Sequence, residues 1–366
     1  MRILVFSCLL LSAVNVLSAT EKPFSVQVRQ VDRAEFPGVV LEKDADQLGR
    51  GTVDCNSPAH WDGKTMYLFN SAGYPCRCSG PDVFHLSRPV TRVKIDNEEG
   101  WTMGGRWIEA TYLTKDGKLY MWYHNEPPVM PGKTAPRIGS MVSTDNGLSW
   151  RDLGIVLEAP ADSNNPETAN FYFCGGNGDF CVNADTQGEY LYFFISTYHK
   201  DTAEQGVSVA RMSCADLEKP VGKVSKWRDG WNEPGLGGHV TPIFPSMIDW
   251  HRPDANAFWG PSVHFNTHLN AWVMFLNRAK DKDWIQEGVY VSFNTDISDP
   301  KGWTQPEKVI DAAELRQSKW YPQVIGIDTK KHETDKIAGK TARLFVAGVS
   351  LWEVDFLKAD ETKALK

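Results

Sequence analysis

The chain has 366 residues, of which 42% are hydrophobic and 23% charged, and its net charge at pH 7 is −7. That length supports a large core in one large or two ordinary domains, and the composition is that of a soluble globular protein. The negative balance, with no basic run and no basic–aromatic stripe, excludes nucleic acid as an expected partner.

The first segment reads as a secretory signal. Met1-Arg2 supplies a positive charge, Ile3–Leu17 is mostly apolar, and Ser18-Ala19 offers small residues for cleavage. Residues 1–19 are therefore predicted to be a signal peptide, and 20–366 a single domain that is secreted or periplasmic. The apolar run is too short and interrupted for a membrane helix, and no later stretch approaches the length of one, so no membrane span is expected. Beyond Cys8 in the signal lie Cys55, Cys76, Cys78, Cys174, Cys181 and Cys214. In an exported chain these are expected to pair as disulfides or to remain buried thiols. Zinc is not expected, because no pair has C-x-x-C spacing and no His is placed to complete a site.

Phe24–Val31 alternates as a strand. A repeated pattern follows: a polar turn, a strand rich in aromatic and β-branched residues, then a second strand ending in Val-Ser or similar. The turns fall at Gly63, Gly117, Gly188, Asn270 and Gly339. Unit one is predicted at Pro58–Trp61, Thr65–Asn70 and Val83–Leu86, and unit two at Trp107–Leu113, Leu119–His124 and Gly139–Ser143. Unit three is Phe180–Ala184, Tyr190–Ser196 and Gly206–Arg211. Unit four is Ser262–Phe265, Ala271–Asn277 and Gly288–Phe293, and unit five Gln323–Ile327, Ala342–Ala347 and Leu351–Phe356. Trp150–Val156 and Lys308–Ile310 read as outer fourth strands, and Ser213–Leu217 and Ala312–Gln317 as short helical turns. Five repeats of four short antiparallel strands predict an all-β, five-bladed β-propeller, with Phe24–Val31 closing the ring against the last blade. A pair of β-sandwiches is the runner-up, and it would not require five similar units.

STDNGLSW (Ser143–Trp150) has the spacing S-x-D-x-G-x-x-W of the Asp-box hairpin of propellers such as sialidases. Asp145 is read there as a turn residue, with Trp150 packed beneath it. A degenerate copy runs from Asn294 to Trp303. A sialidase would need six blades and several clear boxes, and this chain offers five and one.

In such blades the first strands lie nearest the axis, and their entry ends share one face with the exits of second strands. Asp54, Glu109 and Asp179 stand at or before first strands, and Glu287 opens a third strand. His124, Glu126, Tyr198, His199 and Arg278 stand at second-strand exits, and Trp259, His264 and Trp320 at corresponding places in units four and five. Clustered carboxylates push one another's pKa values apart, so one can stay protonated while its neighbour is ionised. Glycosidic bond cleavage needs that division of labour. Glu109, flanked by Trp107, Ile108 and Ala110, is expected as the general acid. Asp179, approached through glycines, is expected as base or nucleophile, with Asp54 or Glu287 orienting. The remaining named residues are expected to bind substrate. Pit-facing arginines among Arg88, Arg137 and Arg278 would imply an acidic sugar.

Three stretches carry a resemblance: WIEATYLTKDGKLYMWY (Trp107–Tyr123), GNGDFCVNADTQGEYLYFF (Gly176–Phe194) and FWGPSVHFNTHLNAWVMFLNR (Phe258–Arg278). With the five repeats, the chain resembles the five-bladed β-propeller glycoside hydrolases, the group of arabinanases, β-xylosidases and fructan-cleaving enzymes. The resemblance implies a carbohydrate substrate, an Asp base in blade one, an orienting Asp in a middle blade and a Glu acid in a later one. The chain departs from that group at CNSPAH, where an Asp directly before the Pro is the pattern and Asp54 stands three residues earlier. A non-catalytic carbohydrate-binding propeller is the alternative. No cofactor is expected. A structural Ca²⁺ is compatible with the carboxylates, although no D-x-D-x-D-G loop is present.

Overall fold

A computed structural model describes residues 22–39, 53–88, 90–96, 104–315 and 320–364. The predicted signal peptide and Cys8 lie outside the described residues, and no described helix is long and apolar enough to cross a membrane.

Five sheets form the five blades of a propeller. From the axis outward, blade one is Ala59–Asp62, Thr65–Ser71, Pro75–Gly80 and Thr91–Arg92. Blade two is Trp107–Leu113, Leu119–Asn125, Arg137–Ser143 and Ser149–Leu157, with Lys94–Ile95 added in parallel at its edge. Blade three starts with Asn177–Ala184, Tyr190–Thr197 and Gly206–Ser213 and adds three short outer strands. Blade four is Ala257–Asn266, Ala271–Ala279, Gln286–Asn294 and Glu307–Asp311. Blade five is Pro322–Gly326, Thr341–Val346 and Val349–Lys358. Its outermost strand is Phe24–Glu35 from the other end of the chain, paired antiparallel with Val349–Lys358. The ring is thus closed by one sheet that joins both ends of the described chain.

Strand alternation explains why the blades stack. Along Tyr190–Thr197, Leu191, Phe193 and Ile195 enter a core shared with blade two, while Tyr192 and Phe194 enter one shared with blade four. Each neighbouring pair of blades encloses such a core. Burying each large apolar side chain contributes roughly 1.5–3 kcal/mol, so the ring is held by five apolar seams. A sixth cluster, aromatic, gathers Tyr198, Trp250, Trp259 and Trp284 at one end of the axis.

Two expectations are corrected. The third strand of blade one is Pro75–Gly80, and Val83–Leu86 is a turn instead. The Asp82 carboxylate accepts the backbone N–H groups of Phe84 (2.8 Å) and His85 (3.0 Å), which fixes the turn. The disulfide reading also fails: all six described cysteines are free. Cys55, Cys78 and Cys174 donate to the carbonyls of Ile108, Leu68 and Thr134, and Cys181 sits in the seam between blades three and four. Burial pushes the Cys78 and Cys181 thiols up to about 12, which suppresses the thiolate that disulfide exchange requires.

The segment 54–57 crosses the axis and touches every other blade. Cys55 Sγ bonds to Ile108 of blade two, at 3.4 Å. Asn56 Nδ2 donates to Phe180 O of blade three (2.9 Å) and Pro261 O of blade four (3.0 Å). Ser57 N–H donates to Gln323 Oε1 of blade five, at 2.8 Å.

Candidate active site

Local backbone irregularities aim the site. The innermost strands of blades two, three and four each break register at one level: between Ile108 and Ala110, Gly178 and Phe180, and Trp259 and Ser262. Such bulges turn a side chain out of its alternation. The skipped residues include Glu109 and Asp179. Asp179 has φ 41°, and the nearby Trp284 and Tyr321 have φ 63° and 60°. Left-handed backbone at non-glycine residues costs of order 1 kcal/mol or more each, and it clusters at functional sites. Gly178 is required by close approach, since a Cβ there would lie 2.6 Å from His124 Cε1.

Asp179 is the centre of the cluster. Tyr198 OH donates to its Oδ2 at 2.6 Å and Tyr321 OH to its Oδ1 at 3.2 Å. Burial, followed by the charge of Glu109, outweighs the attraction of His124 and raises its carboxyl to about 7. Asp54 accepts from Trp107 Nε1 at 3.3 Å, and burial together with the charge of Asp179 raises it to about 6. Glu109 is fully enclosed. Its Oε2 accepts the Phe180 N–H at 2.9 Å and its Oε1 lies 3.2 Å from His124 Nδ1. Burial raises the Glu109 pKa against the pull of His124. His124 Nε2 lies 3.1 Å from Glu126 Oε1. Burial alone would lower the imidazole, but Glu109 and Glu126 outweigh it and hold the ring well above its usual range. The Asp179 N–H also lies against Nδ1, at 3.1 Å, so this nitrogen either donates to Glu109 or accepts from Asp179.

A pit of about 280 Å³ opens over this cluster. Asp54, Glu126 and Asp179 line it, and its other described walls are aromatic, with Trp107, Trp259, Trp284 and Trp320 among them. Glu109 is not on the wall; it stands behind Asp179. A larger groove of about 770 Å³ continues from the pit, sharing Asp54, Tyr172, Trp284, Trp320 and Tyr321 with it.

Of the residues expected from sequence, Asp54, Glu109, His124, Glu126, Asp179, Tyr198, Trp259 and Trp320 come together. Four do not. Glu287 is paired with Lys308 at 2.5 Å and with Tyr290 OH. Alternation turns it away, and its neighbour Gln286 is the one that faces the groove, donating to Asn277 Oδ1 at 2.7 Å. Arg278 is spent on Asn256 Oδ1 (2.9 Å) and Tyr290 OH (3.0 Å). His264 is sealed between Phe275 and Phe356, and burial lowers it to about 3, which makes it a neutral core residue. His199 adjoins His239 and Glu204 instead of the pit. Sequence reasoning passed over Tyr172, Phe173 and Trp284. The signal was there for two segments: three consecutive aromatics in Phe171–Phe173, and a Trp inside the charged turn 280–284.

Two trios offer atoms within 4.8 Å of one another, Glu109–His124–Asp179 and His199–Glu204–His239. Both are carboxylate–imidazole sets. In the first, Glu109 and Glu126 hold the His124 ring above its usual range. His199 Nδ1 accepts the Asp201 N–H at 2.9 Å, which leaves the proton on Nε2.

No family model matches the chain, and no curated protein does. Among solved structures it is similar to an arabinanase of Bacillus subtilis, with 12% identity and TM-score 0.48 over 85% of this chain and 98% of that one. An α-L-arabinofuranosidase of Podospora anserina in complex with cellotriose matches at 10% identity and TM-score 0.47, over 90% and 98%. A glycosyl hydrolase of Bacteroides ovatus matches at 12% and 0.49, over 83% and 84%. Identities this low carry no residue's role across.

Proposed function

We propose that the protein is an exported glycoside hydrolase acting in the axial pit. The observation that carries this reading is the pair Asp54 and Asp179, one half-buried and one buried carboxyl group on one aromatic-walled cavity, with pKa values raised to about 6 and about 7. Between those values one group is ionised while the other keeps its proton, as glycosidic cleavage requires.

Asp179 is the proton donor to the leaving oxygen, and Asp54 is the carboxylate that activates water or attacks the anomeric carbon. The tyrosines fix the donor: burial and the charge of Asp179 hold Tyr198 and Tyr321 well above their usual range, so both stay O–H donors to it. Glu109 is a positioning residue. It orients His124 and adds negative charge behind Asp179, which supplements burial in raising that carboxyl to about 7. Glu126 faces the cavity with its charge partly met by His124, and suits a sugar hydroxyl. The Trp faces provide area for sugar C–H surfaces.

A hydrolysis screen over plant, algal and host polysaccharides tests this, with Asp54→Asn and Asp179→Asn as controls. Sugar release by the wild type that both variants lose is expected, with a bell-shaped pH profile of kcat/KM whose limbs lie near 6 and 7. Polysaccharide binding without release, unchanged in both variants, would replace this reading with a carbohydrate-binding propeller.

A further inference from the structure

The described lining of the pit is acidic and aromatic. Among the described residues lining it are three carboxylic acids and seven aromatics, and no Lys or Arg. The three arginines considered for an acidic sugar are committed elsewhere, and Arg316 and Lys319 lie outside the described residues. Arg137 donates to Asn125 Oδ1 (2.9 Å) and faces Glu158, Arg278 serves Tyr290 and Asn256, and Arg88 lies 3.7 Å from Glu35. Among the described residues, His124 stands behind the wall between Glu109 and Glu126, and Lys280 lines the adjoining groove beside Asp283. Aromatic faces combined with carboxylates form the environment that holds an organic cation.

We propose that the pit selects a glycosyl residue bearing a protonated amine and turns away uronic and sulfated sugars. This rests on the reading that the pit takes a sugar, and it names the kind. Trp and Tyr faces accept an ammonium group and the sugar's C–H surface alike, so the aromatic walls suit the ring whatever its charge. The carboxylates decide the sign. Asp54, Glu126 and Asp179 face the cavity together with the hydroxyl-bearing Tyr172 and Tyr321, and Glu109 and His124 lie behind them. An anionic substituent would add to this repulsion. An ammonium would relieve it.

Isothermal titration of the wild-type protein at pH 7.5 with D-glucosamine and D-galactosamine reads this directly, against D-glucose, D-galactose, N-acetyl-D-glucosamine and D-glucuronic acid. At least one amino sugar should bind about tenfold or more tighter than its neutral and N-acetylated counterparts, with no binding of the uronate. Asp54→Asn should erase the preference. Amino sugars that bind no tighter than the neutral ones, binding of the uronate, or no binding of any sugar would each overturn the proposal. Hydrolysis of neutral glycosides without preference for the amine would remove this inference and leave the glycosidase reading standing. Tight amine binding with no hydrolysis of any glycoside would do the reverse.

Discussion

Two aspartates of this chain sit in tight local structures and behave oppositely. Asp145, in the hairpin Ser143–Trp150, is surrounded by donors. Its Oδ1 accepts the N–H groups of Leu148 (3.1 Å) and Ser149 (2.9 Å), and Ser143 and Ser149 hydroxyls reach it at 2.7 and 2.6 Å. Burial would raise its pKa, but the bonds from Ser149 and Ser143 outweigh that and lower it. Asp179 has two tyrosine donors, deeper burial and carboxylate neighbours, and it is raised. A carboxylate satisfied by backbone N–H groups is part of the frame; one left short of donors beside its own kind can carry a proton for chemistry.

The largest break in this comparison is in activity. Asp179→Asn should lower kcat by about 10²–10⁴-fold, the span of a general acid. Asp145→Asn should leave kcat within about twofold and lower the melting temperature. Equal losses of activity in the two variants would end the distinction.

Next is the frame itself. Trp150 lies beneath the turn, donates to Gly147 O at 2.9 Å and packs edge-on against Phe69. Trp150→Ala should cost about 3–5 kcal/mol in denaturant unfolding. A smaller loss would mean the hairpin is held by its hydrogen bonds alone.

The pH dependence of stability sharpens the contrast because the signs differ. Asp179 is raised, so the stability it contributes is full below its unfolded value near 4 and is lost as pH rises to about 7. Asp145 is lowered, so its contribution is present above that unfolded value and is lost as pH falls through its folded value. Asp179→Asn should therefore match the wild type most closely near pH 4 and gain on it by pH 8, by up to about 4 kcal/mol. A constant offset across that range would show that Asp179 does not titrate as described. Smallest of all, Glu287→Gln should leave kcat/KM within about twofold, since that carboxylate is tied to Lys308 away from the pit. A tenfold loss would restore it to the site.

The architecture was legible because alternation and turn residues are local. Trp107–Leu113 follows directly from its sequence, and the second strands of blades two to four extend the expected spans by only one or two residues. Blade one's Pro75–Gly80 was not among the expected strands; Cys76 and Cys78, considered there only as disulfide partners or buried thiols, are apolar strand positions. The site was legible as a list of acids at strand entries and not as an arrangement. Bulges at Glu109 and Asp179 break the period-two rule on which facing is judged, so one acid reached the wall and the other was drawn behind it. The same rule, unbroken, turned Glu287 outward and Gln286 inward. Trp284 reaches the pit from a left-handed turn that sequence pattern does not mark.

The segment 54–57 gives the propeller a property that a ring of stacked sheets would otherwise lack. Blades held only by their seams can part at any one seam, as repeat arrays do, each loosening with little effect on the far side. Here a single stretch of chain is fastened at once to Ile108, Phe180, Pro261 and Gln323. Parting any seam beside it pulls on a hub that four other blades share. Asp54 leads directly into that hub, so the carboxylate on the pit wall is anchored to the most cooperative part of the molecule, and the distance between it and Asp179 is defended by the whole ring.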